Sequence, residues 1–336
     1  MENKACYKPN TVQFELVEGC NRRCSFCGTS GFEKQPKFVT PQVLKKQSRL
    51  VEESGYRPRV ALVGHGEPTL HPQFFKCIKL MRKIMPDLHF QMMTNGYLIR
   101  KDLNNIKKIF DAGVNDIILD EYSDNKFDPV SIQKIVDEYQ QETGRHVDFR
   151  VMGENSSLYG DKNKNKYRLL LVPPIDEKTI ALSRKLTNQC GAGMPADTAC
   201  SDKRCTRLFR ELVYRWDGNV ALCCQDFRGE YFVCNMMDES IQTLDDIWLH
   251  ERMESARKIT YHDGRKFYPC NICNLLPIRP GLLPDYKGQQ EMENPTKKDY
   301  KIVSKVYPPL TNRVPRKWEE ETGHFVNGDK IIQTGE

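Results

Sequence analysis

The sequence lacks the features that would place the chain in a membrane or outside the cell. No apolar run approaches the ~18–20 residues that cross a bilayer. Residues 1–7 have no apolar core followed by a small-residue cleavage site, so we expect no secretory signal. The sequence therefore predicts a protein of the reducing cytoplasm, without a membrane partner, in which thiols stay unpaired.

A strong excess of one charge is also missing. The 51 basic and 45 acidic residues leave a formal net charge of +6 over 336 residues. That surplus is a mild bias toward anionic partners and is too small to indicate a dedicated nucleic-acid binder. With 39% hydrophobic and 29% charged residues, the composition excludes a disordered chain.

Cysteine, in contrast, is abundant. The 13 cysteines are odd in number and too dilute for a disulfide scaffold, which would be short and dense in cysteine. In a reducing compartment they indicate metal or cluster ligands.

The first 175 residues alternate β-rich runs with amphipathic stretches, which is typical of a parallel α/β sheet. Strands are expected at residues 12–17, 60–63, 90–93, 116–119, 147–151 and 169–172, and helices at 41–54, 72–84, 101–112 and 128–143. Six strand–helix units are fewer than the eight of a closed barrel. We therefore predict a partial (β/α)6 TIM-like barrel with its chemistry at the carboxyl ends of the strands.

After the barrel, the pattern of strand and helix signals in the sequence changes. We expect a barrel over residues 1–175, a linker over 176–204, a small α+β domain over 205–275 and a C-terminal extension over 276–336. Within the α+β domain, residues 211–222 predict a hairpin that turns at Asp217-Gly218. A second short hairpin is expected around residues 326–329.

Three cysteines follow the first strand closely. Cys20, Cys24 and Cys27 have the spacing C-x3-C-x2-C, which brings three thiolates into one small volume. An iron–sulfur cluster takes four ligands, so three thiolates leave one iron open for a non-protein ligand. A three-cysteine zinc site completed by a distant His or Cys is the alternative that the spacing leaves open.

Two further motifs lie where the next strands should end. These are Gly64-His65-Gly66-Glu67-Pro68 and Thr94-Asn95-Gly96. Together with the cysteine loop and its aromatic Phe26, they resemble the radical S-adenosylmethionine (SAM) enzymes. The resemblance implies a catalytic [4Fe-4S] cluster on Cys20, Cys24 and Cys27 whose open iron binds SAM. It also implies reductive cleavage of SAM to a 5′-deoxyadenosyl radical, with an external reductant such as flavodoxin or ferredoxin.

The same resemblance suggests which residues contact SAM. It implies that residues 64–68 hold the methionine end, that Phe26 contacts the adenine and that Asp120 contacts the ribose. Arg150 has a guanidinium suited to the methionine carboxylate. A turn residue at Asp120 and a surface ion pair at Arg150 are the alternatives. The predicted cofactor-binding residues are Phe26, Gly64, Gly66, Glu67, Pro68, Asn95, Asp120 and Arg150.

A second group of cysteines lies in the predicted α+β domain. Cys205, the unit Gly218-x4-Cys223 and the pair Cys270-x2-Cys273 resemble the SPASM/twitch extension of radical SAM enzymes. A full SPASM domain has further cysteines, and none follows Cys273. The resemblance therefore implies the shorter twitch form, with one auxiliary [4Fe-4S] cluster on Cys205, Cys223, Cys270 and Cys273. A four-cysteine zinc site, or replacement of one ligand by Cys190 or Cys200, stays open, and Cys224 is expected not to be a ligand.

These observations predict a radical SAM enzyme that oxidises or rearranges a small-molecule or nucleotide-type substrate. Only 19 residues precede Cys20, so we expect no amino-terminal peptide-binding domain. One alternative is a maturase that acts on a peptide or protein. A cysteine-rich, zinc-binding interaction protein is the non-enzyme alternative.

Overall fold

A nine-stranded sheet organises the fold. It is seen in a computed structural model that describes residues 8–24, 26–31, 35–122, 124, 126–152, 167–175, 187–193, 205–275, 292–305, 324–327 and 330–333. The strands are β1 (Thr11–Phe14), β2 (Val17–Glu18), β3 (Lys37–Phe38), β4 (Arg59–Leu62), β5 (Phe90–Thr94), β6 (Asp116–Tyr122), β7 (Val147–Val151), β8 (Tyr167–Ile175), β9 (Glu211–Tyr214), β10 (Asn219–Ala221), β11 (Phe232–Asn235), β12 (His324–Asn327) and β13 (Lys330–Gln333). The α-helices are α1 (Pro41–Glu53), α2 (Phe74–Ile84), α3 (Tyr97–Lys101), α4 (Asn105–Ala112), α5 (Pro129–Thr143), α6 (Leu244–Trp248), α7 (Glu251–His262) and α8 (Lys297–Val303).

The strand order of the main sheet is β11-β10-β9-β1-β4-β5-β6-β8-β7. All neighbours from β9 to β7 pair in parallel, and β10 and β11 add an antiparallel edge. This mixed α/β sheet confirms the predicted partial barrel. It brings the carboxyl ends of six barrel strands to one edge, where the cysteine loop and both motifs begin.

Alternation along the strands explains how the sheet packs. Val12, Val60 and Phe90 are fully buried and belong to the main hydrophobic core with residues of the helices. Ile118 and Leu170, one position along their strands from that core, form a separate small apolar cluster. Since successive side chains of a strand point to opposite faces, the second cluster marks the inner face of the barrel.

Capping residues set the ends of the helices. The Thr40 side chain accepts from the amide of Val43 and is followed by Pro41 at the first helical position. Asp128 caps α5 in the same way. Gly113 and Gly144 end α4 and α5 in the left-handed conformation, as expected.

Some boundaries differ from the prediction. The helix expected over residues 101–112 begins only at Asn105, and a separate short helix, α3, ends at Lys101. Between them the Asp102 side chain accepts from the Asn104 amide at 2.9 Å. The helix expected from Pro72 begins at Phe74. The first strand ends at Phe14, and β2 pairs with β3 in a separate small sheet.

The carboxyl-terminal region continues the main sheet. β9 and β10 form the predicted hairpin, with Gly218 at φ +90° in the turn. β12 and β13 pair antiparallel as expected, and the tip of that hairpin lies outside the described residues. The Ser255 hydroxyl donates to Asp299 at 2.7 Å and joins α7 to α8. The domain boundaries stay a prediction, since much of residues 176–204 and 276–336 is not described. Within the part that is described, no helix has the length and apolarity required to cross a membrane.

Candidate functional site

The first cysteine loop lies at the carboxyl edge of the barrel sheet. Cys20, Cys24 and Cys27 are all half-buried. The Cys20 Sγ accepts hydrogen bonds from the Arg22 amide and from the Asn95 side-chain amide, each at 3.3 Å. Donors of this kind stabilise a thiolate, so the surroundings of Cys20 fit a ligand of a metal cluster.

Burial affects the protonation of this loop. Burial is the main reason that the pKa of Cys20 rises to about 11, and Glu67 and Cys27 add to the effect. A thiol with such a pKa stays protonated at neutral pH unless a bound cation displaces its proton. Cluster binding at Cys20 must therefore release a proton.

Close backbone contact joins the second motif to the cysteine loop. Gly19 and Gly66 form an isolated parallel bridge, in which the Glu67 amide donates to the Gly19 carbonyl at 3.0 Å. A Cβ on Gly66 would lie 2.3 Å from the Val17 carbonyl oxygen, and one on Gly64 would lie 2.9 Å from the Glu15 Cβ. Both glycines are thus required by the packing of the loop that leads to Cys20.

The Glu67 carboxylate organises the neighbouring motifs. It is 2% exposed and accepts from the amide and hydroxyl of Thr69, from the Thr94 hydroxyl at 2.7 Å and from the Asn95 amide at 2.8 Å. It also caps the short turn Pro68–Leu70, in which Pro68 is buried. Contact between Glu67 and the amine of SAM stays a prediction. The observed contacts hold Asn95 against Cys20.

Two other predicted SAM contacts, Asp120 and Arg150, lie in different surroundings in the structure. Asp120 lies on β6 at the same edge, and burial followed by repulsion from Glu67 raises its pKa to about 7. Arg150 lies on the edge strand β7, is 55% exposed and pairs with Asp148 at 2.6 Å. This exposed pairing is the surface ion pair given above as the alternative to a SAM contact for Arg150. Phe26 is half-buried beside the other loop residues, and its adenine contact stays a prediction.

The four predicted auxiliary ligands converge in space. Cys223, Cys270 and Cys273 are 6–7% exposed, and Cys205 is half-buried. Burial raises the pKa of Cys223 well above its usual value, and the other three thiols raise it further through their charges. Cys224 has the same effect, and charge effects among these thiols mean that they lie near one another.

A buried cation accompanies these thiols. Arg265 is 1% exposed and donates to the Cys273 carbonyl at 3.1 Å. Its charge acts to lower the pKa of Cys205, Cys270 and Cys273, whereas burial acts to raise the pKa of each. Four thiolates around an iron–sulfur core carry net negative charge, and Arg265 is positioned to balance part of it.

No three His, Cys, Asp or Glu side chains among the described residues are close enough together to hold a single metal ion. A four-iron cluster does not require that arrangement, because each of its ligands binds a different iron. Both cysteine sets therefore fit clusters by their burial, donors and charge.

A fifth thiol lies at the auxiliary site. Cys190 is 2% exposed and hydrogen-bonds Cys273, and this bond is the main reason that the pKa of Cys273 falls to about 6. Cys224 accepts from Arg207 at 3.0 Å, and its expected role as a non-ligand stays a prediction. Cys6 and Cys200 lie outside the described residues.

Sequence analysis missed a buried charge network that connects the two cysteine regions. Arg215, which follows β9, donates to Glu18 and lies 3.6 Å from Glu15, and all three are at most 3% exposed. His65 Nδ1 contacts Glu15 at 2.7 Å. Although burial acts to raise it, the charges of Arg215 and His65 lower the pKa of Glu15 to about 2. The signal in the sequence was His65 itself, since it stands where the family motif has glycine.

Comparison with known families agrees with this geometry. Residues 14–181, half of the chain, match the family model of the radical SAM superfamily, and residues 205–274 match that of the SPASM iron–sulfur cluster-binding domain. The chain therefore belongs to the radical SAM superfamily, whose members are enzymes that use a [4Fe-4S] cluster and SAM. Its SPASM region implies an auxiliary iron–sulfur cluster.

Individual relatives are more distant. GTP 3′,8-cyclase of Haemophilus influenzae (strain PittEE) is 24% identical over 166 residues, which are 48% of each protein. The enzyme of the same name from Aquifex aeolicus (strain VF5) is 27% identical over 129 residues, covering 37% of this chain and 38% of that protein. The chain thus spans about half or less of the length of these curated relatives.

Solved structures share the fold over a longer span. BtrN in complex with AdoMet and 2-DOIA is 20% identical with a TM-score of 0.59, covering 83% of this chain and 98% of that one. BtrN in an open conformation is 16% identical with a TM-score of 0.52, covering 80% of this chain and 94% of that one. At this identity the similarity concerns the fold.

Proposed function

We propose that this enzyme oxidises or rearranges a small, anionic, nucleotide-type substrate. When bound, the catalytic cluster and SAM supply a 5′-deoxyadenosyl radical that takes a hydrogen atom from the substrate. The remaining tasks fall to the protein: to hold the thiolates, to orient SAM and to position the substrate. The similarity to GTP 3′,8-cyclases, over about half of the chain, supports a nucleotide as substrate.

The observation that carries the proposal is a cationic cavity beside the catalytic loop. It has a volume of about 250 Å³ and is lined by Asn21, Arg22, Asn95, Tyr97, Arg100 and Lys101. Among these lining residues are three cations and no carboxylate. A cavity of this size and charge suits a phosphate-bearing group better than an extended peptide.

The cations of this cavity are held in place by their neighbours. The Arg22 guanidinium stacks on the Tyr122 ring at 3.9 Å, and that of Arg100 stacks on the Phe127 ring at 3.7 Å. Lys101 donates to the Tyr97 hydroxyl at 2.8 Å. Stacking fixes the direction of each guanidinium edge. Arg22 already binds one carboxylate there, the exposed Asp124 at 2.7 Å, which shows that this edge of the cavity accepts an anionic oxygen.

Other positively charged residues pair with carboxylates inside the fold. Arg207 and Arg210 pair with Glu211 at 2.7 and 3.3 Å. Arg215 belongs to the buried network with Glu15 and Glu18. The cavity beside Cys20 is therefore the better site for a phosphate than the basic run near the second cysteine group.

The proposal is tested with reconstituted, reduced enzyme and SAM. Nucleoside triphosphates, aminocyclitols and peptides are supplied in parallel, and substrate-dependent 5′-deoxyadenosine is measured. We expect stimulation by a nucleoside triphosphate, and a KM raised about tenfold or more in Arg100→Ala and Lys101→Ala. Lys79→Ala, on the outer face of α2, is the matched control and should leave KM unchanged.

Stimulation by peptides alone would favour the maturase alternative and reject the proposed substrate class. Stimulation by an aminocyclitol, which has no anionic group, with no effect of either cation substitution, would retain a small substrate and reject the role of the cavity.

A further inference from the structure

The SPASM region, residues 205–274, reaches back to the catalytic loop through one aromatic side chain. Phe227, four residues after the predicted auxiliary ligand Cys223, is 8% exposed. It forms a small apolar cluster with Ala192, separate from the main core, and Cys27 of the catalytic loop packs against this pair. The cover over this side of the catalytic loop therefore comes from residues outside the matched barrel region, 14–181.

Two further contacts place the Phe227 ring between the catalytic loop and the glycine motif. A Cβ on Gly28, the residue after Cys27, would lie 2.5 Å from Phe227 Cδ1. The ring therefore lies directly on the backbone of the loop, and a side chain at position 28 would displace it. On another side, the ring meets that of His65 edge to face, with 4.4 Å between the centroids.

Hydrogen bonds hold the chain around Phe227 in place. Asp226 is fully buried, and its carboxylate accepts from the amides of residues 229–231 at 3.0 to 3.3 Å. The Phe227 amide donates to the Gln225 carbonyl at 2.8 Å. All of these groups belong to the SPASM region, so that region sets where the ring lies.

A second segment supports the same wall of the catalytic loop. The Gln189 side chain accepts a hydrogen bond from the Gly28 amide. The neighbouring Asn188 side chain donates to the Ile272 carbonyl at 2.7 Å, in the turn of the C-x2-C pair. Residues 188–192 thus connect the catalytic loop to that turn, and Ala192 packs beside Phe227.

The surroundings of an iron–sulfur cluster influence its reduction potential through solvent access. The reduced state carries one more negative charge than the oxidised state, and dry, apolar surroundings disfavour that charge. An aromatic ring packed on the loop therefore acts to lower the potential of a cluster bound there. A low potential favours the transfer of an electron to SAM, with which reductive cleavage begins.

We propose that Phe227 is a positioning residue through which the SPASM region keeps water from the catalytic cluster and thereby lowers its reduction potential. This inference rests on Cys20, Cys24 and Cys27 as the ligands of that cluster, and it does not depend on the identity of the substrate. It gives the SPASM region a second task besides binding its own cluster, because the region also completes the wall of the catalytic site.

The test is an EPR-monitored redox titration of the full chain after anaerobic reconstitution, without substrate. The signal that changes when SAM is added identifies the catalytic cluster, since that cluster has the open iron. Phe227→Ala should keep about eight irons per chain and shift the midpoint potential of that signal positive. Phe227→Leu keeps part of the apolar cover and should give a smaller shift in the same direction.

Phe232→Ala is the matched control. It removes a ring that is 7% exposed and lies on the edge strand β11 of the same region, so it should leave the potential of the catalytic cluster unchanged. An equal shift in Phe232→Ala would overturn the inference, and so would an unchanged potential in Phe227→Ala with all its iron.

The remaining outcomes also decide. If Phe227→Ala keeps only about four irons and loses the SAM-dependent signal, the residue retains the cluster and its tuning role is wrong. Should Phe227→Ala not fold, by circular dichroism, an unchanged potential in a folded Phe227→Leu variant would reject the inference. No substrate is present in these measurements, so their result is separate from that of the test for a nucleotide-type substrate.

Discussion

The backbone of Gly66 lies directly against that of Gly19, the residue before the first cysteine of the catalytic loop. The two form a parallel bridge outside the regular strands. This contact fixes the path of the chain into Cys20 from a motif that lies 47 residues further along the sequence.

Replacing Gly66 with Ala should therefore remove the catalytic cluster. The added Cβ would lie 2.3 Å and 2.4 Å from the carbonyl oxygens of Val17 and Gly19, and backbone atoms cannot move aside cheaply. We expect a loss of about 3 kcal/mol or more in the free energy of unfolding, and of about half of the iron. Denaturant titration and iron analysis measure both. Gly144→Ala is the control for iron: its φ of +69° strains the backbone and lowers stability, but no atom lies within 4 Å and the site is not disturbed, so it should keep all the iron.

The two cysteine sets should bind iron independently. Wild-type enzyme should hold about eight irons per chain. Replacement of Cys20, Cys24 and Cys27 by Ala should leave about four, and so should replacement of Cys205, Cys223, Cys270 and Cys273. Iron, sulfide and zinc analysis after anaerobic reconstitution measures this. Zinc without sulfide in the wild type would favour the zinc-binding alternative, and complete iron loss in either variant would show that the sites depend on each other.

Affinity for SAM should depend on pH through Asp120. With a pKa of about 7, this carboxyl is mostly protonated at lower pH and ionised at higher pH. The ionised form is the stronger acceptor for ribose hydroxyls, so the affinity should rise about tenfold between pH about 6 and about 8. Equilibrium binding at several pH values measures it. Asp120→Asn should flatten the profile, and an unchanged profile in that variant would reject the ribose contact.

Arg215, in the buried charge network between the two cysteine regions, should contribute strongly to the stability of the protein. Arg215→Met leaves Glu15 without its arginine and Glu18 with Lys37 alone, at 3.4 Å, which costs about 3–5 kcal/mol in the free energy of unfolding. Urea unfolding of the reconstituted enzyme measures it. Lys108→Ala removes an exposed ion pair with Asp102 and should change stability little. Equal effects of the two substitutions would show that the buried network has no special role.

Much of the barrel was predictable from the sequence because local signals determine it. Proline and capping residues mark the start of α1 and α5, and glycines mark the ends of α4 and α5. The position of β8 between β6 and β7 was not predictable, since strand order depends on contacts between distant segments. The division between α3 and α4 depends on one Asp102 side chain, whose hydrogen bond no periodicity reveals.

The candidate site, like the fold, was predictable from the sequence only in part. Cysteine spacing and the motifs identified the residues that gather at the barrel edge. The partners of Glu67, by contrast, come from Thr69, Thr94 and Asn95, and only the folded chain shows that its oxygens are already engaged. The backbone of residues 187–193 was not predictable, because Gln189 and Cys190 have φ values of +48° and +51° that their residue types do not favour and that tertiary hydrogen bonds of Asn188 and Gln189 stabilise.

The parallel pairing of β9 with β1 bears on how these two regions can be separated. Thr11–Phe14 has β4 on one side and Glu211–Tyr214 on the other, so the barrel sheet is completed by residues nearly 200 positions away. A chain truncated after residue 204 would leave the backbone donors and acceptors of β1 unpaired on that side, a template for aggregation. The barrel therefore depends on residues beyond position 204 to cover its first strand, and cutting the chain between the two regions would expose that strand.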